Sequence, residues 1–590
     1  MKYKELTSDA EVADLVTSYN QEAKYVVLDT ETTGLNVHHD KLLSLTISGA
    51  GSDTAYFIPG TFVLQFKALQ KPVVAHNFKF DFHIMRIAGV DLRHAGLVHD
   101  TMLLDHLLDE NQEHGLDAIV KRNYNDNYKE VFWDDFKTYE SAPKDRQIEY
   151  ACKDVLYTAR LYSDLTTKLN GMVPSGLIEH VRTLALSLYD TEVRGIKLDL
   201  AYLEQMGSEL TGQIATLKHN MREMVDLDCQ LLENRAYMEA LDERKTPKGK
   251  LGVKKATFNF DSNAQLQDLL YTQLKLPVQF NKKRTRTVDD GALANLEPHH
   301  RIVALLRDYR GHQKVFTSFI EGSLDKMHLG RIHPSFNVNG TVTGRISSSG
   351  PNMQQLPTQG GVRGIYIPDP GYKFISCDYG QLEVTLAAHF SRDKNLLSIV
   401  FEGRSQHDIT AEGLGISRQI AKTINFAIQY GAGANKIKSI LNCSDGDAAT
   451  VFAKYWETYP GLRDFIEKCH KAVDSGEPLK NPFGRLRRFP THFQDKWERE
   501  RAKRQAANSL IQGTGADITN RAFYLVGQAL GEDGHALFPV HDEIIIQVKE
   551  NAVDRAKELL QSIMVGVGKE IELSVPLTVS CSDAQERWSK

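Results

Sequence analysis

Apolar residues recur along the chain in two rhythms. Over about the first 165 residues, short apolar runs alternate with helical spacing. Tyr25-Val26-Val27-Leu28, ending at Asp29, and Pro72-Val73-Val74-Ala75 read as buried strands. Met102 to Leu108 and Ala151 to Leu161 read as helices, so this part has an α/β pattern. Residues 170–325 are helical by period. A polar, lysine-rich stretch near 225–260, with Pro247, Gly249 and Gly252, interrupts them and reads as an exposed loop. Beyond 330 strands return: Phe374-Ile375-Ser376-Cys377 before Asp378, and Ile544-Ile545-Ile546 after Glu543, with helices between. No apolar run reaches membrane-spanning length, and Met-Lys-Tyr-Lys-Glu-Leu lacks the apolar core of a signal peptide. At 590 residues the chain exceeds a single core and implies three or four domains.

Composition changes this picture little; the arrangement of charge changes it more. The six cysteines, Cys152, Cys229, Cys377, Cys443, Cys469 and Cys581, contain no Cys-x-x-Cys pair. That argues against structural zinc and a disulfide frame, and fits a reducing cytoplasm. The net charge of −5 disfavours a nucleic-acid partner only superficially. Basic residues cluster at Arg244 to Lys255 (six, with no acid), Lys282-Lys283-Arg284-x-Arg286, Arg485-x-Arg487-Arg488 and Arg499 to Arg504. Each cluster alone is an ordinary solvated face. Together with catalytic carboxylates they point to a phosphate backbone.

The first chemical constellation lies in the α/β part. Alternation along a strand puts Asp29 and Glu31 on one face, where two carboxylates can share a divalent cation. Asp81 follows the second apolar strand, and Tyr150 and Asp154 lie one helical turn apart. Two Mg²⁺ ions need several hard oxygen ligands; Asp29, Glu31, Asp81 and Asp154 supply them, and the Tyr150 hydroxyl can orient the attacking water. The ordered set resembles the proofreading 3′–5′ exonucleases of the Asp-Glu-Asp-Asp class, tyrosine subtype.

The second constellation centres on residues 417–430. Arg418, Lys422, Phe426 and Tyr430 are four apart and form a row of two cations followed by two rings, suited to a triphosphate with its sugar and base beyond. Asp378 lies upstream in Asp378-Tyr379-Gly380-Gln381-Leu382-Glu383, and Val540-His541-Asp542-Glu543 lies downstream. These segments resemble motifs A, B and C of family A DNA polymerases, the class of bacterial DNA polymerase I. Thr343-Gly344-Arg345, with Asn352 and Gln354 after it, resembles a primer–template contact segment. The row Arg504, Asn508, Gln512 resembles the helix that touches the minor groove near the primer end.

The resemblance implies an α/β multidomain fold: an RNase H-like exonuclease followed by a right-hand polymerase of thumb, palm and fingers. The boundaries would be 1–167 exonuclease, 168–327 thumb and connecting helices, 328–390 first palm part, 391–495 fingers and 496–590 second palm part. It implies template-directed DNA synthesis from dNTPs with proofreading, and two Mg²⁺ per site, Mn²⁺ substituting. Asp378 and Asp542 would hold the palm metals, with Glu543 a weak or absent ligand. Arg418, Lys422 and His407 would meet the phosphates, Phe426 the sugar, and Tyr430, Tyr379 and Gln381 the nucleotide pocket. Glu383 would bar a ribose 2′-hydroxyl, and His541 would meet the primer end. The partners implied are primer–template DNA and dNTPs, for a monomer with no membrane role; no helicase or other replisome partner is identifiable.

The sequence departs from the fuller pattern in three places. Asp29 lies too near the N-terminus for a preceding 5′-nuclease, so the expected form is phage-like and cytoplasmic, in a host cytoplasm if phage-encoded. Gly380 replaces the usual serine, and no insertion accommodates a thioredoxin-binding segment. The rivals are a single-subunit RNA polymerase, which Glu383 and the nuclease set oppose, and a catalytically silent accessory protein, which would not need both acidic sets intact.

Overall fold

Val26, Val27, Leu28, Val73, Val74 and Ala75 are all 0% exposed, and they seed a six-stranded sheet. A fully buried valine or leucine contributes roughly 1.5–3 kcal/mol over an exposed one, so this run holds its layer firmly. The strands are β1 (Lys2–Glu5), β2 (Val26–Thr32), β3 (Leu42–Gly49), β4 (Thr54–Pro59), β5 (Val73–Ala75) and β6 (Leu97–Asp100), in the order β1-β4-β3-β2-β5-β6. β2 does not end at Asp29 as its apolar run suggests. It runs on to Thr32 because β3 pairs with it throughout, Asp29 opposite Thr46 and Glu31 opposite Ser44. Among the helices that belong with this sheet or follow it are α1 (Phe78–Ile87), α2 (Thr101–Leu108), α3 (Tyr128–Asp135), α4 (Lys144–Leu169) and α5 (Ser175–Arg194). Ala151, Cys152 and Val155 of α4 pack against Val27 and Val74, which lays α4 across the sheet beside β2.

This computed structural model describes residues 1–242, 257–281, 283–358, 360–429 and 432–589. Its first unit holds residues 1–196, 333–355 and 368–586, and its second 197–332, 356–367 and 587–590. Residues 168–196, assigned to the thumb from sequence, therefore belong to the first unit, where α5 packs on later elements. The second unit is helical around Leu266, Leu269, Leu293, Ile302, Leu306 and Tyr309. Its exposed turn at 281–285 carries Lys283 and Arg284, held by the Asn281 side chain, which accepts from Lys283 N and Thr285 N at 2.9 and 3.1 Å. Lys282 and the lysine-rich stretch at 244–255 lie outside the described residues.

The later part of the first unit is built on an antiparallel sheet of β7 (Tyr372–Tyr379), β8 (Gly534–Val540), β9 (Glu543–Lys549) and β10 (Val579–Cys581), in the order β8-β9-β7-β10. Register sets Asp378 opposite Glu543, and Tyr379 N donates to Asp542 O at 3.2 Å. His541, in the left-handed region at φ 56°, lets the chain turn tightly between β8 and β9. Around the sheet and beyond it lie α6 (Leu382–Ser391), α7 (Gln406–Leu414), α8 (Arg418–Gln429), the 35-residue α9 (Lys496–Leu530) and α10 (Val553–Glu570). Cys377 and Cys581 face each other on β7 and β10 and form a disulfide, correcting the expectation of none. They stand 204 residues apart, so only strand order brings them together.

The Arg485 to Arg488 cluster also differs from its reading as a phosphate contact. Arg485 lies in the interior and donates to Asp517 of α9 from Nε at 2.9 Å and Nη2 at 2.7 Å. Arg487 and Arg488 pair with buried Glu110, just after α2, at 2.9 and 2.8 Å. Their partners are distant in sequence, so a local count of charge misses them. Among the described residues no helix is long and apolar enough to cross a membrane.

Burial alone would raise the Asp517 carboxyl; Arg485 and His180 outweigh it and hold it well below the usual range. A depressed carboxylate contributes stability above its unfolded pKa of about 3.9 and loses it as pH falls towards the folded value. Asp517→Ala should leave Arg485 as an uncompensated buried cation and cost about 3–5 kcal/mol at neutral pH. The check is the thermal midpoint at pH 7, which should fall by several degrees. A fall under one degree would mean the pair contributes no net stability.

Candidate functional site

Two acidic centres emerge, both in the first unit. In the N-terminal sheet, Asp29 and Glu31 project from one face of β2, and α4 brings Asp154 to them. One ligating oxygen from each lies within 4.8 Å of the others. Asp81 of α1 stands beside this trio rather than in it, because it accepts from Thr30 N at 2.9 Å and Thr30 Oγ1 at 2.7 Å. Tyr150 is buried, its ring 4.2 Å from that of Phe132 and 5.3 Å from Lys129 Nζ.

Two residues at the start of α3 escaped the sequence reading. The Tyr128 hydroxyl donates to Asp154 Oδ1, and Lys129 Nζ donates to Asp154 Oδ2 at 2.5 Å. No periodic signal links them to residue 154; only the packing of α3 on α4 does. Burial, then repulsion from Asp154 and Asp81, pushes Asp29 well up. Burial and Asp154 push Glu31 up to about 8, and burial takes Asp81 up to about 7 against the Thr30 hydrogen bonds. Burial also raises Asp154 despite Lys129. Hard oxygen donors crowded until they resist ionisation fit divalent cations in donor chemistry and in charge.

The second centre lies at the end of β7. Asp378 is half-buried, and Asp542 occupies the turn after β8. Glu543, opposite Asp378, is 2% exposed and points into the interior. Asp542, Gln381, Glu383, His407 and Arg418 line one open cavity of about 510 Å³. Arg418 Nε donates to Asp408 Oδ1 at 2.8 Å, and His407 Nδ1 lies 3.1 Å from the buried Asn425 amide, so α7 and α8 are locked together. Burial, Arg418 and Lys422 all lower the His407 pKa, keeping the ring neutral at pH 7. Lys422 is exposed. The Phe426 side chain and Tyr430 lie outside the described residues.

Arg345 Nη2 donates to Glu383 Oε1 at 3.0 Å. The Thr343-Gly344-Arg345 turn rests on α9, with Asn520 donating to Gly344 O at 3.1 Å. Gly344 sits at φ 80°, where a Cβ would come within 2.8 Å of the Arg485 guanidinium, so only glycine fits.

Tyr379 does not reach the cavity. Alternation along β7 turns it to the face opposite Asp378, where it is 4% exposed and its hydroxyl donates to Met564 O at 2.9 Å. Gln354 donates to Pro539 O at 3.1 Å and fastens its segment to the sheet, while Asn352 accepts from Gln354 N within that segment. Arg504 is exposed, Asn508 and Gln512 are partly so, and His541 is exposed.

Residues 3–170 match the family described as 3'-5' exonuclease, and residues 202–590 match DNA polymerase family A. The chain is 29% identical to DNA polymerase I of Chloroflexus aurantiacus, over 96% of this chain and 62% of that protein. It is 31% identical to that of Treponema pallidum, over 86% and 50%, and 28% identical to that of Geobacillus stearothermophilus, over 97% and 64%. It thus spans about half to two-thirds of the length of these curated relatives. The solved polymerase domain of Pol1 from M. smegmatis, in complex with DNA primer-template and dNTP, shares the fold at a TM-score of 0.81 and 22% identity, covering 99% of both chains.

A carboxyl with a raised folded pKa favours folding in its protonated form, and that contribution fades as pH rises through the folded value. For Glu31 and Asp81 this window runs from the ordinary carboxylate range to about 8 and about 7. A divalent cation replaces the protons. Mn²⁺ should therefore raise the melting temperature more at pH 8.5 than at pH 6. Calorimetry near pH 7 in two buffers of different ionisation enthalpy should show about one proton released per ion. Asp29→Ala with Glu31→Ala should abolish both effects. Equal Mn²⁺ stabilisation at the two pH values would refute the coupling.

Proposed function

The chain belongs to the family A DNA polymerases, and from that membership we propose that it is a template-directed DNA polymerase with 3′–5′ proofreading. The observation that carries the reading is the cavity where the cationic face of α8 meets the Asp542 turn, with Glu383 on its wall. It suits a nucleoside triphosphate gripped at one end by cations and at the other by a carboxylate-bound metal. In this reading residues 168–327 form the thumb and connecting helices, 391–495 the fingers, and 328–390 with 496–590 the palm.

Mg²⁺, or Mn²⁺ in its place, supplies at each centre the charge neutralisation that two-metal phosphoryl chemistry needs. In the palm Asp378 and Asp542 would hold it, while Glu543, buried and opposite Asp378 in the sheet, is a weak or absent ligand. Arg418 and Lys422 bind the triphosphate, and Lys422 gives a proton to the departing pyrophosphate. Neutral His407 donates a hydrogen bond to a phosphate oxygen. Glu383, steadied by Arg345, occupies the space a ribose 2′-hydroxyl would need, and Gln381 lines the same pocket. Arg504, Asn508, Gln512 and His541 would follow the duplex at the primer end.

In the N-terminal module Asp29, Glu31 and Asp154 would hold the ions. Asp81 fixes Thr30, between the two strand ligands, and completes the acidic set. Burial raises the Tyr150 hydroxyl, so it stays protonated at pH 7 and can orient the attacking water as a donor. The substrates are primer–template DNA and dNTPs.

The two centres should separate genetically. Asp542→Ala should lower primer extension by about 10³-fold or more and leave excision of a mismatched 3′ end intact. Asp29→Ala with Glu31→Ala should do the reverse. Extension surviving within tenfold in the first variant, or excision in the second, would overturn the corresponding assignment.

Glu383→Ala should admit ribonucleotides. The measurement is the ratio of kcat/KM for rNTP to that for dNTP. No rise in that ratio would remove Glu383 from the role of gate.

A further inference from the structure

α9 carries one row of exposed and half-exposed side chains that runs past Arg504, Asn508 and Gln512. Trp497, Arg501, Arg504, Asn508 and Gln512 follow one another at spacings of four, three, four and four. At 100° per residue they share an arc of about 80° and extend about 22 Å along the helix. The last three belong to the row read as following the duplex. Trp497 and Arg501 have no role in that reading.

Trp497 is 79% exposed, the most open large aromatic ring among the described residues. Its indole leaves most of its apolar surface in water, an unusual position for a side chain that ordinarily buries 150–250 Å². Arg501 and Arg504 are exposed, and no described residue pairs with either. Cations elsewhere on the same stretch are already engaged: Arg499 and Lys503 both pair with Asp474, at 2.7 and 2.8 Å. Of the nearby acids, Glu498 accepts from Gln494 N at 2.7 Å. The row therefore offers two cations with no ion-pair partner among the described residues and ends in a bare ring.

We propose that Trp497 and Arg501 form a subsite for single-stranded nucleic acid, the unpaired template strand beyond the primer end, with the indole stacked on a base and the guanidinium on a phosphate. The proposal rests on reading α9 as the helix that follows DNA. A duplex offers a protein groove edges and phosphates, with its bases already stacked on each other; an unpaired strand offers free base faces. Cations alone would suit either, but a solvent-exposed ring beside them suits the unpaired strand. Such stacking tightens binding by about 5- to 150-fold per base without reading sequence.

The test compares two DNAs with the same duplex, one carrying a ten-nucleotide 5′ template overhang and one blunt. Both are bound to the full chain in the Asp29→Ala/Glu31→Ala background and followed by fluorescence anisotropy. Trp497→Ala should weaken the overhang DNA about tenfold and the blunt DNA less than twofold, and Trp497→Phe should recover most of the loss. Arg501→Gln should reduce the log–log salt slope by about 0.7 for the overhang DNA alone. Equal weakening of both DNAs would place the ring on the duplex and overturn the proposal, as would no weakening of either. If the parent chain bound neither DNA, the polymerase reading itself would fail, which is a separate result.

Discussion

The Asp517–Arg485 pair is the constraint on which the later part of the first unit depends. Asp517 is 0% exposed at the middle of a 35-residue helix, and Arg485 reaches it from the Leu479–Arg487 hairpin. Asn481 donates to the same carboxylate at 2.7 Å, and His180 of α5 lies 3.6 Å away. The guanidinium also forms the floor under Gly344. One buried charge pair thus fixes where α9 lies, which way the hairpin turns, and where the Thr343-Gly344-Arg345 turn delivers Arg345 to Glu383. A hydrophobic contact is tolerant of rotation; a forked guanidinium on a carboxylate is not.

The same logic joins the nuclease part to the polymerase part within that unit. Glu110 receives Arg487 and Arg488, and Glu192 of α5 receives Lys79 of α1 at 2.5 Å, His83 at 3.0 Å and Phe336 N at 2.7 Å. His106 of α2 lies 3.1 Å from Thr341 O, in the segment that leads to Arg345. These contacts are polar and buried, so they specify one docking geometry where an apolar face would allow several. The acidic centre on β2 and the one on β7 are consequently held at a fixed separation.

What was legible in the sequence was what is local. Strand alternation gave Asp29 and Glu31, one helical turn gave Tyr150 with Asp154, and a spacing of four gave the row on α8. The motif resemblance supplied the rest of the architecture. Contacts set by tertiary packing were not legible. Tyr128 and Lys129 reach Asp154 because α3 packs on α4, and nothing in their spacing announces it. Cys377 and Cys581 meet because β10 returns to β7 after 204 residues. The basic run at 485–488 looked like a phosphate contact because its partners, Asp517 and Glu110, lie far away in sequence. Tyr379 was misplaced by reading its motif as a block: the strand turns Asp378 and Tyr379 to opposite faces.

The Cys377–Cys581 bond has a topological consequence. It closes the chain into a covalent ring that contains α6 to α10 and the turn bearing Asp542, with Asp378 next to the clasp. A protease cutting one exposed loop inside that ring would open the circle without separating the pieces. The nicked chain would keep Asp378 and Asp542 in one particle and would migrate as two fragments only after reduction.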